Sequence, residues 1–502
     1  MSEKVHTKAS SDRQPMIIQG GMGIGVSNWV LARSVALQGE MGVVSGTCMN
    51  SVLIRRLQDG DDGGHCRRAL AAFPFRDITE TILKRYFLEN GRGGAPYKRS
   101  PMFSAKYTKD LVHLTVAANF VEVWLAKEGH DGKVGINLLE KIILPNLPSI
   151  YGAMLASVDY VLMGAGIPRE IPGVLDLFAK HDEASLKLPV EGAGPEDDFR
   201  VRFNPREFFD LSSMPELKRP KFLPIVSSAV LALNLMKKST GHVDGFVIEH
   251  WTAGGHNAPP RGQMQLDDQG QPVYGQRDEV DFAKFVEMGL PFWLAGSCGT
   301  PEKVKEALAL GATGVQVGTA FAFCDESGLG DFAKTSVLES VYKNEPLKVF
   351  TDPLASPSGF PFKVVMKSDT LWDEKVYEAR PRKCDLGYLR SAYKTEAGDV
   401  GLRCAAEPID AYLKKGGLLE ETKGRKCLCN GLFAGVGMGQ NQESGYQEAE
   451  IMTAGDDIVN LKRFQKKGPS FSAGDVIREL RLGVVHARAE EPGFLNSFEM
   501  RA

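Results

Sequence analysis

With 502 residues, 60 basic against 63 acidic side chains and a net charge of −3, the chain carries no field that would gather nucleic acid or an anionic membrane. Hydrophobic residues at 43% and charged ones at 25% are ordinary for a globular protein, here larger than one minimal domain. The apolar run from Ile142 to Leu155 is broken by Pro145 and Pro148 and is too short to span a bilayer, and polar Met1 to Gln14 lacks the apolar core of a secretion signal, so a cytoplasmic location is expected.

Eight short apolar runs occur in order at 16–19, 42–45, 133–138, 159–163, 223–227, 244–248, 291–295 and 313–317. Such runs suit parallel strands buried on both faces. Helix-like stretches at 28–37, 171–180, 230–238, 279–288 and 301–310 separate most of them, the last opening on a Thr300 cap followed by Pro301. The alternation predicts an α/β protein with a (β/α)8 TIM barrel, although an open doubly wound sheet would alternate as well. The expected organisation is a tail at 1–14, a barrel at 15–370 and an extension at 371–502. Two stretches, near 49–130 and 181–220, are longer than a crossover needs and are expected to hang over the catalytic face or make a homo-oligomer contact. In the extension, 383–440 is rich in Gly, Cys and basic residues, and 473–481 reads as a closing helix.

The first strand runs into Gln19-Gly20-Gly21-Met22-Gly23-Ile24-Gly25, where glycines let backbone approach a flat ligand. The spacing is not that of a dinucleotide fingerprint, and a tight turn without ligand explains this segment equally well. Strands seven and eight end in Ala295-Gly296-Ser297 and Val317-Gly318-Thr319. Barrels commonly hold phosphate at these two loops, which makes Gly296, Ser297, Gly318 and Thr319 the candidate donors. The sixth strand leads into Glu249-His250-Trp251-Thr252-Ala253-Gly254-Gly255-His256, placing His256 as a candidate general base over paired glycines. The bland alternative is a histidine bonded to a neighbouring group.

These blocks resemble the nitronate monooxygenases, formerly called 2-nitropropane dioxygenases. Pro15 to Met22 looks like that family's N-terminal signature, Gly135-Ile136-Asn137-Leu138 its third strand, Ala253 to His256 its histidine motif, and Gly311 to Thr319 its last strand. The resemblance implies an FMN-dependent TIM barrel that oxidises alkyl nitronates or nitroalkanes with O2 to a carbonyl compound and nitrite. Carried over by position, His256 is the base that removes the α-proton. Gln19, Gly20, Gly21, Met22, Asn137, Gly254, Gly255 and Ala295 line the flavin, and Gly296, Ser297, Gly318 and Thr319 hold its phosphate. Two local departures stand out: the family's fifth-strand lysine is absent from Leu223-Pro224-Ile225-Val226-Ser227-Ser228, and Asn257 to Arg261 separate His256 from Gly262. The same barrel also resembles NAD(P)H-dependent, FMN-containing enoyl-thioester reductases of fatty-acid and polyketide synthesis.

Cys384, Cys404, Cys427 and Cys429 follow a C-x19-C-x22-C-x-C spacing with basic neighbours Arg382, Lys383, Arg403, Arg425 and Lys426, which would favour thiolates. They could ligate zinc or an iron–sulfur cluster, or be four reduced, partly buried thiols. Cys298 is a further candidate nucleophile, with a small packed residue as the simpler reading.

Overall fold

The computed structural model describes residues 13–442 and 444–489; residues 1–12 of the tail and 490–502 of the extension lie outside the described residues. The eight barrel strands are β1 (Ile17–Gln19), β2 (Gly42–Ser45), β3 (Val134–Leu139), β4 (Tyr160–Gly164), β5 (Lys221–Val226), β6 (Phe246–Glu249), β7 (Phe292–Ala295) and β8 (Gly314–Val317). They form one eight-stranded sheet in the order β1-β8-β7-β6-β5-β4-β3-β2. The two edges meet at a parallel bridge between Ile18 and Met41, with Gln19 N–H donating to the Met41 carbonyl at 2.9 Å and Met41 N–H to that of Ile17 at 3.1 Å. The sheet is therefore a closed (β/α)8 barrel, and the open-sheet alternative falls.

Alternate residues of these strands fill the interior: Ile18, Val43, Leu162, Leu223, Val247 and Trp293 pack together there. Apolar side chains pointing the other way meet the helices, which is why each strand reads as a continuous hydrophobic run. The floor is closed by the chain's entry: the Trp293 indole donates to the Pro15 carbonyl at 2.8 Å and the Tyr160 hydroxyl to Gln14 at 3.0 Å.

The first and last ring helices are Trp29–Leu37 and Ala473–Ala489. The latter packs against both Trp29–Leu37 and the helix Pro301–Ala309, in the place of an eighth barrel helix. Buried Glu40 ties the seam, accepting from the Met16 and Ile17 amides and pairing with Arg481 at 3.0 Å. Gly483 lets the last helix lie directly on its neighbour, since a Cβ there would sit 2.1 Å from the Pro301 carbonyl oxygen. Gly483→Val is expected to lower stability by about 1–3 kcal/mol, the usual scale of overpacking; an unchanged denaturation midpoint would remove this helix from the ring.

Residues 318–472 are thus an excursion between β8 and the final helix, and they roof the C-terminal ends of the strands. The roof is anchored on the helix Met49–Gln58. Tyr388 hydroxyl bonds Ser51 at 2.8 Å and Asn50 at 2.7 Å, while the buried Arg55 guanidinium donates to the Met438 carbonyl and lies 4.1 Å from the Phe433 ring centroid. Of the two long stretches expected over the catalytic face or at an oligomer contact, each has a part that packs on the ring. Within 49–130, the helix Lys109–Lys127 packs between Trp29–Leu37 and Ile143–Leu155 as a ring helix. Within 181–220, Ala184–Lys187 and Arg200–Phe203 form an antiparallel hairpin against the outside of Ile143–Leu155. The rest of each stretch supports the roof: Tyr97 N–H donates to Gln440 at 2.9 Å, and Val190–Glu191 pairs in parallel with roof residues Ala392 and Tyr393.

Candidate functional site

Above the barrel lies a cavity with about 1670 Å³ of unfilled space, its open mouth included. Its lining is mostly apolar with a few polar groups among glycines, the make-up of a ligand-binding cleft. Its walls are strand ends: Gly20 to Gly23 after β1, Asn137 on β3, Glu249 on β6, Ala295 to Cys298 after β7, and Gln316 to Thr319 on and after β8. Its ceiling is the apolar underside of the roof, including Leu389, Leu428, Leu432, Val436 and Ile451. No lysine or arginine lines it among the described residues.

At the β1 end, backbone approaches side chain closely: a Cβ on Gly21 would lie 2.2 Å from the Asn137 Cβ. Asn137 Nδ2 donates to the Gly21 carbonyl at 2.9 Å, and its Oδ1 is buried without a partner. Gln316 Oε1, from a cavity-lining residue on β8, is a second buried acceptor without a partner. Orphaned buried acceptors are costly, and a flat heterocycle bearing N–H groups would satisfy them. The residues present therefore fit the ring of a flavin. Met22, Gly254, Gly255 and Ala295 also line the cavity.

Gln19 does not join them. Its side chain is fully buried, donating to the Gly20 carbonyl and Ser27 hydroxyl and accepting from the Val43 amide at 3.0 Å. It braces the glycine turn from behind, with both amide hydrogens spent on protein acceptors.

His256 faces the cavity from a loop clamped by the roof. Its Nε2 lies 2.8 Å from Ser356 Oγ, and its ring meets Phe362 edge-on at 4.9 Å. Gly255 N–H donates to Thr453 at 2.8 Å, and the Gly255 carbonyl accepts from Lys363 N–H at 2.9 Å. Burial pushes the His256 pKa down to about 4, so the imidazole is neutral at physiological pH. His250 points elsewhere, bonding Thr252 at 2.9 Å and packing on Trp251.

Gly296 takes φ +95°, and a Cβ there would lie 2.9 Å from the His250 Cβ; the β7 turn requires glycine. Thr319 Oγ accepts from the Gly455 amide at 2.9 Å. Gly296, Ser297, Gly318 and Thr319 all line the cavity, together with Asp457 from the roof. Cys298 is not a primed nucleophile: its thiol bonds the Gly296 carbonyl, and burial raises its pKa to about 12.

Sequence reasoning passed over Glu249, Gln316 and Asp457. Glu249 and Gln316 are polar residues inside otherwise apolar strands, a signal that was available. Asp457 carries none, since the roof has no periodicity that would place it.

Cys384, Cys404, Cys427 and Cys429 line one small pocket, and Cys429 also touches the main cavity. Among the described residues no three His, Cys, Asp or Glu are arranged to hold a metal ion. The thiolate expectation is also corrected. Burial raises all four thiols, Cys404 to about 12. Several of the cations thought to favour thiolates are committed elsewhere: Arg403 to Glu191 at 2.7 Å, Lys426 to Asp352 at 2.8 Å, Arg425 to backbone carbonyls.

The family model for nitronate monooxygenase matches residues 217–352, from β5 to the roof strand Val349–Asp352. No curated protein matches the sequence. Among solved structures, FabK from Thermotoga maritima aligns at 15% identity and TM-score 0.45, covering 95% of this chain and 96% of its own. Nitroalkane oxidase from Streptomyces ansochromogenes aligns at 14% and 0.46, covering 95% and 97%. The enoyl reductase domain of MlnA from Bacillus amyloliquefaciens aligns at 11% and 0.44, covering 96% of each. These are distant likenesses; the barrel stands on its own hydrogen bonding. Among the described residues no helix is long and apolar enough to cross a membrane.

Proposed function

We propose, from a chain whose residues 217–352 carry the nitronate monooxygenase family match, an FMN-dependent oxidoreductase that takes the α-proton of a nitroalkane with His256. The observation that carries this reading is a neutral, buried imidazole on the wall of a glycine-lined cavity whose orphaned acceptors suit a flavin ring. Bound FMN would supply the electron acceptor that dioxygen reoxidises. The protein's own part is to exclude water under the apolar roof, hold the ring between Gly21, Asn137 and Gln316, and receive a proton. Nε2 shares a hydrogen bond with the Ser356 hydroxyl, and the ring nitrogen that carries no hydrogen is the one that receives the proton. A lining without lysine or arginine favours entry of the neutral nitroalkane over its anion.

The pH profile tests the base. A histidine lowered to about 4 accepts a proton only where it is unprotonated, so kcat/KM for a neutral nitroalkane should rise with pH through about 4 and be flat by pH 6. An acid limb centred near 6.5 would place an ordinary exposed histidine in the role instead.

The apolar ceiling supports a second reading, an enoyl-thioester reductase, because it would also suit an acyl chain. Anaerobic mixing separates the two. A nitroalkane with its nitronate should bleach the flavin under the first reading, and NADH or NADPH under the second.

A further inference from the structure

At the loops after β7 and β8, where the flavin phosphate is expected, the chain has placed a carboxyl group of its own. Asp457 is the second residue of the short helical segment Asp456–Arg463 and reaches the cavity from the roof. A Cβ on Gly299 would sit 3.0 Å from its Oδ2, and one on Gly455 would sit 2.9 Å from its Oδ1 and 3.0 Å from Thr319 Oγ. The carboxylate thus lies against the Gly299 backbone and beside the Thr319 hydroxyl, where either can donate to it, and burial holds its pKa above the usual carboxylate range. The strap that carries it is pinned: Asp456 N–H donates to the Thr252 carbonyl at 3.0 Å, and Gly455 N–H to Thr319. Nearby cations are spent, Lys363 on Asp456 at 2.7 Å and Lys303 on Glu306 at 2.6 Å. A phosphate dianion arriving here meets a buried acid, donors already engaged, and no lysine or arginine in the lining to offset the charge.

We propose that Asp457 is a selectivity residue for the cofactor tail, competing with a phosphate monoester for the Gly299 amide and Thr319 hydroxyl. FMN then gains little over the same flavin without its phosphate. The inference rests on the flavin reading above and goes beyond it, because barrel phosphate loops normally make the phosphate a main source of affinity.

The test is equilibrium binding of FMN and of riboflavin to the flavin-free full-length protein, followed by quenching of flavin fluorescence. In the parent protein the two dissociation constants should agree within about threefold. Asp457→Asn, close in shape but uncharged, should tighten FMN at least tenfold and leave riboflavin unchanged. Asp457→Ser should do the same, and guards against a fold defect in the first variant. Strong FMN preference in the parent, or Asp457→Asn that leaves FMN unchanged or weaker with riboflavin still bound, overturns the proposal alone. Failure of every form to bind either flavin overturns the cofactor reading, and this inference with it.

Discussion

His256→Asn is expected to lower turnover of a neutral nitroalkane by roughly 10²–10⁴-fold, the usual worth of a positioned general base, while a preformed nitronate loses far less. The asymmetry follows from the site. Asparagine is too short to keep the 2.8 Å contact that Nε2 makes with the Ser356 hydroxyl, but the clamp on Thr453 and Lys363 is made by Gly255 backbone, so the loop from Gly254 to Asn257 should hold its place. What asparagine cannot do is accept a proton at neutral pH. A nitronate has already lost that proton. Steady-state kinetics with both forms of one substrate decide the matter, and equal losses for the two would remove His256 from proton transfer.

The second large effect is expected at Gly21. Valine there would drive its Cβ to 2.2 Å from the Asn137 Cβ and 2.9 Å from a Val43 methyl, at the point where backbone and side chain jointly face the cavity. Either the glycine turn or β3 must shift, and both carry the proposed ring contacts. Gly21→Val should weaken FMN binding by at least 100-fold. Asn137→Ala, which only deletes the 2.9 Å bond to Gly21 and the orphaned Oδ1, should weaken it by about tenfold, on the scale of one hydrogen bond. If Gly21→Val retains full flavin affinity while circular dichroism shows a native fold, the ring does not lie against this turn.

The barrel was legible because parallel strands buried on both faces leave uninterrupted apolar runs, and every strand expected from such a run is present at its place. The site's glycines were legible for a related reason, since chain turning at strand ends leaves little choice of residue. Function on the ring was harder to read. Lys109–Lys127 is buried along almost its whole length, so it lacks the amphipathic stripe that would have marked it as a barrel helix. Gln19 was misread because a polar residue beside Gly20-Gly21 looks the same in sequence whether it faces a ligand or braces the turn behind it. The roof was not legible at all. Its strands are short, and its contacts depend on single buried polar residues, such as Arg55 beneath Phe433 and Tyr388 on Asn50, which only the fold brings together. The cysteines show the same limit: spacing and neighbouring charges suggested reactive or ligating thiols, whereas burial decides their protonation.

Flavin content is the most direct measure of whether a planar cofactor sits over Gly21, Asn137 and Gln316. The purified protein, or the protein after incubation with FMN and removal of the excess, should show flavin absorbance and release close to one flavin per chain on denaturation. A colourless protein that takes up neither FMN nor riboflavin would contradict the flavin site, and with it the proposed oxidation chemistry.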